Sequence, residues 1–316
     1  MFKQKIGINN FLGEDVRVGI ADSINKIIDV TEEDDPQLSE KLIEISKKHD
    51  AVLMACIAPY VGLKISPTKT INAQMGLSEE FAVETAINQI QTKTDVKKLL
   101  LLVNSPGGLV QSSYKVARAL RKTFKEIIVF VPHIAASGGT LLALTGNKIV
   151  MGMMSQLSPL DPQAKSGDGA VSANSVVDAH QFVTRLFDDI AVEDAPYSYK
   201  ALADKFDGVD IRDALASLSL MEEYVREILE DSGYSKEQCK TISNRIVRGF
   251  KTHDEVINID KAKKLGLNVI PHSDYATEWK LFREWLAKYM LQSADKHVIR
   301  FVISENLIKQ SELTKK

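Results

Sequence analysis

Cysteine is nearly missing from this sequence: its 316 residues hold two, Cys56 and Cys239. Two thiols are too few for a disulfide framework or a structural zinc site. An excess of charge of one sign is missing too, since 40 Lys and Arg face 42 Asp and Glu, so nothing in the balance calls for nucleic acid or an anionic membrane. No apolar run is long enough to cross a bilayer comfortably; AVLMACIAPYVGL (51–63) is short and carries Pro59. The opening MFKQKIGINNF lacks the long apolar segment of a secretory signal, which points to a cytoplasmic chain without a membrane span. Internal repeats and low-complexity tracts are absent. The acidic run Glu32-Glu33-Asp34-Asp35 does not have the spacing of an EF-hand loop, and no metal site or cofactor is expected.

What is there is the pattern of a large α/β unit. Hydrophobic residues make up 44% and charged ones 26%, ordinary for a chain that buries a substantial core. AVLMACIA (51–58), KLLLLVN (98–104), EIIVFVP (126–132) and KIVMG (148–152) read as strands. Between them, 78–93, 109–124 and the segment after Gly138 read as helices, the first capped by Ser78. Continuous apolar strands alternating with helices predict a mostly parallel sheet covered on both faces. Ahead of them, Pro36 stands near a helix start, with Leu38, Leu42 and Ile45 at helical spacing. Beyond SPLDPQ (158–163), AKSGDGAVSANS reads as loop, and helices follow over 173–191 and 220–233. The stretch 273–316 is expected to be helical, with Trp279 and Trp285 as packing residues.

Two strand-to-helix turns carry the chemistry. In Asn104-Ser105-Pro106-Gly107-Gly108, consecutive glycines let the backbone turn with its amides exposed. In VPHIAASGGTLLALTG, Ser137 stands at the mouth of a helix, where a hydroxyl points outward. If the corners meet, the amides of Gly107, Gly108 and Gly138 surround one developing oxyanion beside Ser137, and such donors are worth about 2.7–4 kcal/mol each. Turns from neighbouring parallel strands meet at the carboxyl edge of a sheet, which is where open α/β proteins place their sites.

LLLLVNSPGG, then VPHIAASGGTLLALTGNKIVM, then SQLSPLDPQ resembles the serine dehydrogenase proteinase family, which is related to signal peptide peptidase A and the Clp protease proteolytic subunit within the Clp/crotonase superfamily. The likeness runs from about Leu99 to Gln163 and resumes near 252–269. It implies a Clp/crotonase-like fold over 50–272, between an N-terminal extension (1–49) and a C-terminal helical tail (273–316). It also implies a serine peptidase with Ser137 as nucleophile and the amides of Gly108 and Gly138 as oxyanion donors, and assembly as a homo-oligomer. Despite the family's name, neither a pyridoxal-type lysine motif nor a dinucleotide fingerprint is present.

A serine hydroxyl needs a base. Sliding the Clp pattern onto SPLDPQ finds Leu160 and Asp161 where a histidine would stand, so that triad is not copied intact. The match to the triad acid falls on Asp254 in THDEVINIDKAKKLGLNV, with His253 before it. Three candidates for the base stay open. His253 could act with Asp254 or another carboxylate orienting its ring, although adjacent residues on a strand face opposite ways. Lys200 could serve if burial lowers its pKa. His180 is the third. Asp161 is assigned to shaping the loop below the pocket. The expected activity is hydrolysis of peptide or unfolded-protein substrates through an acyl-enzyme; the alternatives are an inactive Clp-like scaffold or binding protein, or a crotonase-type acyl-CoA enzyme.

Overall fold

The computed structural model describes residues 36–58, 64–66, 69–70, 73–166, 169–290 and 297–304. The acidic run at 32–35, the rest of 1–35 and the Pro59 region lie outside the described residues. The strands are β1 (Val52–Ile57), β2 (Lys64–Ser66), β3 (Lys69–Thr70), β4 (Lys98–Asn104), β5 (Glu126–Val131), β6 (Ile134–Ala135), β7 (Lys148–Met151), β8 (Gln156–Leu157), β9 (Gln163–Ser166), β10 (Gly169–Ser172), β11 (Val269–Pro271) and β12 (Val298–Val302). The helices are α1 (Pro36–His49), α2 (Leu77–Lys93), α3 (Val110–Thr123), α4 (Gly138–Ala143), α5 (Ala173–Arg185), α6 (Tyr197–Ala203), α7 (Gly208–Asp231), α8 (Lys236–Arg248), α9 (Ile259–Leu265) and α10 (Ala276–Met290).

Six strands form the main sheet in the order β11-β7-β5-β4-β1-β12. The pairs from β1 to β11 are parallel, and β12 closes the β1 edge antiparallel. Because the strands step in one direction and crossovers are right-handed, the intervening helices gather on one face. There α2, α3, α4, α7 and α8 cover Val52, Met54, Cys56, Leu99, Leu101 and Val103. The alternate residues Leu53, Ala55, Ile57, Leu100 and Leu102 point to the other face, as the two-residue period of a strand requires. That face is covered by α1, through Leu38, Leu42 and Ile45, and by α10, through Phe282 and Trp285. The fold is therefore of the α/β class with a mostly parallel sheet buried on both sides, as the apolar strand runs predict.

Differences from the sequence reading are local. α2 starts ahead of Ser78, because Glu79 reaches back and its Oε2 accepts the Gly76 N–H at 2.8 Å. The stretch read as loop at 164–175 contains the antiparallel hairpin β9–β10, and α5 begins at Ala173. α8, a helix the sequence reading does not single out, buries Cys239, Ile242, Ile246 and Val247 on one face and is capped reciprocally by Ser235 and Gln238. After α10 the chain returns as β12, whose residues pair with β1 and whose Ile299 and Phe301 enter the core. No helix among the described residues is long and apolar enough to cross a membrane.

Candidate active site

β4 and β5 are hydrogen-bonded neighbours, so the segments that leave their carboxyl ends start side by side. The pairing continues past the sheet: Ser105 N–H donates to Ile134 O and Ala136 N–H to Ser105 O, both at 2.9 Å. This zipper brings the two glycine corners together. A Cβ on Gly107, whose φ is +95°, would fall 2.6 Å from Gly138 N and 2.9 Å from Ser137 Cβ. A Cβ on Gly138 would lie 3.3 Å from Gly108 N. Only residues without side chains pack this closely.

The amides differ in what they already do. Gly107 N–H donates to Ser105 Oγ at 3.0 Å and is committed there. Met75 N–H donates to Gly107 O and Met75 O accepts from Leu109 N–H, each at 2.8 Å. That parallel bridge turns the N–H of Gly108, the residue between, to the opposite side. Gly108 and Ser137 both line a cleft of about 690 Å³.

Ser137 itself has φ +48° and ψ −121°, a region that costs a non-glycine residue about 1–3 kcal/mol. The neighbours over-determine it. Ser158 Oγ accepts the Ser137 N–H at 2.7 Å, and Leu141 N–H donates to Ser137 O at 3.2 Å. Thr140 Oγ1 donates to Ala135 O at 2.7 Å and accepts from Ser158 N–H at 3.0 Å. A strained serine at a strand-to-helix corner presents its hydroxyl away from both elements.

His253 and Asp254 line the same cleft. They sit in a turn over 251–254 rather than on a strand, so the objection from alternating strand faces does not apply. The carboxylate bonded to His253 is Asp161, with Nδ1 to Oδ1 at 2.6 Å. Asp161 is nearly buried, and its Oδ2 accepts from the Ser172 hydroxyl, the cap of α5. With Nδ1 donating to Asp161, Nε2 is the unprotonated nitrogen of a neutral ring. Burial pulls the His253 pKa down, but the hydrogen bond and charge of Asp161, with the charge of Asp254, outweigh it and leave the pKa raised above its ordinary value.

Lys200 and His180 are elsewhere. Both line a separate cavity of about 480 Å³ among α5, α6 and the start of α7. Lys200 Nζ donates to Glu193 O at 2.8 Å in an exposed position, and His180 packs edge-on to Phe206. Reading the sequence left the Asp161–His253 pair unfound. The signal was faint: an aspartate in SPLDPQ between apolar and proline neighbours is either paired or exposed, and here it is paired and 4% exposed.

Comparisons with known proteins bear on the family of the chain. The family model of the ClpP-like SDH-type serine proteinases matches residues 77–312. Uncharacterized protein MJ0137 of Methanocaldococcus jannaschii is 32% identical over 204 residues, 64% of this chain and 64% of its own length. Uncharacterized protein MJ1495 of the same organism is 31% identical over 169 residues, 54% of this chain and 51% of its own length. The chain thus spans less than two thirds of either relative. Two solved structures of the 1510-N membrane-bound stomatin-specific protease are also similar. Its serine-to-alanine mutant aligns with a TM-score of 0.41 at 15% identity, over 63% of this chain and 75% of that one. A lysine-to-alanine mutant in complex with a substrate peptide aligns at 0.40 and 16%, over 63% and 71%. With its family match covering most of the sequence from the second helix onward, the chain belongs to the ClpP-like SDH-type serine proteinase family.

Proposed function

We propose that this chain hydrolyses peptide bonds through an acyl-enzyme on Ser137, with His253 as general base, Asp161 as the residue that orients it, and the amides of Gly108 and Gly138 as oxyanion donors. The observation that carries this reading is the shared cleft: a serine with a strained backbone lines it together with a histidine whose Nδ1 is already held by a buried carboxylate. In the forward step Ser137 Oγ attacks the scissile carbonyl carbon while its proton passes to His253 Nε2. The carbonyl oxygen becomes an oxyanion between the two amides. His253 then protonates the leaving amine, the C–N bond breaks, and water hydrolyses the ester by the reverse proton route.

Asp254 shares the cleft and adds negative charge beside the imidazolium that forms during the reaction. The substrate is an extended peptide or unfolded segment, laid in the cleft that Pro106, Gly108, Leu109 and Gln156 border. Two buried, unpaired thiols accord with a reducing cytoplasm, and a homo-oligomer is the assembly we infer for the working enzyme. A fluorophosphonate probe tests the core of this reading. It should label the protein at Ser137, with labelling lost in Ser137→Ala and weakened in His253→Ala. Labelling that persists in Ser137→Ala removes the nucleophile assignment. A wild-type protein that is never labelled favours a scaffold.

A further inference from the structure

A second histidine lies directly beneath the first glycine corner. His297 immediately precedes β12, and its side chain is fully buried. Its Nε2 is 2.7 Å from Ser105 Oγ, the same oxygen that accepts the Gly107 N–H at 3.0 Å. Nδ1 is buried without a hydrogen bond. The carboxylate of Glu79, which faces Nδ1 at 3.8 Å, favours the ring proton on that nitrogen and disfavours a bare lone pair there. Nε2 is then the accepting nitrogen, and the Ser105 hydroxyl donates to it. Burial pushes the His297 pKa down to about 3, so the ring stays neutral, as an accepting Nε2 requires.

Glu79 completes the ring of contacts from the other side. Its Oε1 accepts the His297 backbone N–H at 3.4 Å, and its Oε2 accepts the Gly76 N–H at 2.8 Å. Gly76 follows Met75, the residue that bridges Gly107 and Leu109. The turn carrying Gly108 is thus gripped through Ser105 on one side and through Met75 on the other. Serine, histidine and carboxylate follow one another here as in a hydrolytic triad, but Ser105 is fully buried and its oxygen already accepts an amide. Sealed from substrate, it can hold a backbone amide but has nothing to attack.

We propose that His297 is a positioning residue for the oxyanion turn: it accepts the Ser105 proton, which locks Ser105 Oγ onto the Gly107 amide and aims the Gly108 N–H at the carbonyl that Ser137 attacks. The proposal rests on the peptidase reading of the Ser137 cleft. Without that acceptor the Ser105 hydroxyl rotates to seek another, the Gly107 amide loses its partner, and the turn relaxes. A displacement of about 1 Å in such a group lowers rates on the order of 100-fold.

The test is the second-order rate of fluorophosphonate labelling at Ser137 in the full chain, measured where each variant is folded by circular dichroism. His297→Leu, which cannot accept the proton, should label about 10- to 100-fold more slowly, and His297→Gln, whose amide oxygen can accept it, should stay within about threefold of wild type. Independently, nitrogen-15 NMR of the histidine rings should show His297 protonated at Nδ1 and bare at Nε2, with no titration from about pH 5 to pH 8. Wild-type rates in His297→Leu, or a proton on Nε2, overturn the proposal. If His297→Leu does not fold, a slow His297→Gln overturns it and a fast one together with the expected tautomer supports it. Failure of the wild-type protein to label is a different result: it removes the peptidase reading, and the positioning role with it.

Discussion

Ser137, His253 and Asp161 stand in the wall of an open cleft, whereas Ser105, His297 and Glu79 lie sealed a few residues behind it. Both sets contain a serine, a histidine and a carboxylate. The His253 side chain is 24% exposed and has a bonded carboxylate, so its pKa rises; that of His297 is 0% exposed with its carboxylate out of bonding range, so its pKa falls. In the first set the serine's backbone is strained and its surroundings are open. In the second the serine's oxygen is already occupied by a backbone amide. The difference teaches that three residue types in sequence do not make a reactive site. Solvent access and prior hydrogen-bond commitments decide whether such a set reacts or holds something in place.

Substitutions can separate the two sets. The largest effect is expected at the serines: Ser137→Ala should abolish turnover of a fluorogenic peptide, by about 10⁴-fold or more, with the unfolding midpoint unchanged. Ser105→Ala should instead destabilise by about 1–3 kcal/mol in urea unfolding, because it strands two buried polar groups, and should only slow turnover. Next is Asp161→Asn, expected to lower kcat by about 10²- to 10⁴-fold. Since Asp161 helps raise the His253 pKa, residual activity should keep its rise with pH but at a lower midpoint. The stabilisation that His253 draws from Asp161 is fully present below about pH 6.5 and is lost as pH climbs through the raised folded value; Asp161→Asn should flatten that loss.

Gly108→Ala comes third, with kcat down about 10²- to 10³-fold by the same peptide assay. Its new Cβ would meet the Met75 backbone at 2.1 Å, so the bridge behind the turn must shift. Acid unfolding probes the sealed set at smaller cost. His297 has a folded pKa depressed to about 3, so its contribution is intact above about pH 6.5 and drains away as pH falls from there. Urea titrations at several pH values should show this slope in wild type and a shallower one in His297→Gln. The smallest effect belongs to Lys200→Ala, which should leave turnover within about twofold of wild type, given the separate cavity that Lys200 lines. A large loss there would revive the lysine as base.

Much of this was legible in the chain. The runs at 51–58, 98–104, 126–132 and 148–152 announce buried strands because a parallel sheet covered on both faces needs apolar residues at every position. Gly107, Gly108 and Gly138 stand out because their backbone approach leaves no room for a Cβ. His253 was in view with its partner open, and Asp161 was read as a loop residue. The role of His297 carried no signal of its own, since a single histidine before a short apolar run reads as surface; the run itself, VIRFV, has the β-branched character of a strand, against the helical expectation for 273–316.

The amino-acid sequence by itself determined the alternation of strands and helices, the two glycine corners and the serine at the second of them, because periodicity, turn stereochemistry and capping act between residues close along the chain. The tertiary structure alone decided which carboxylate meets His253, 92 positions away, and that a histidine 192 positions from Ser105 lies beneath the first corner. Those pairings depend on how the sheet stacks its strand ends and how the last strand closes its edge, and no local spacing encodes either.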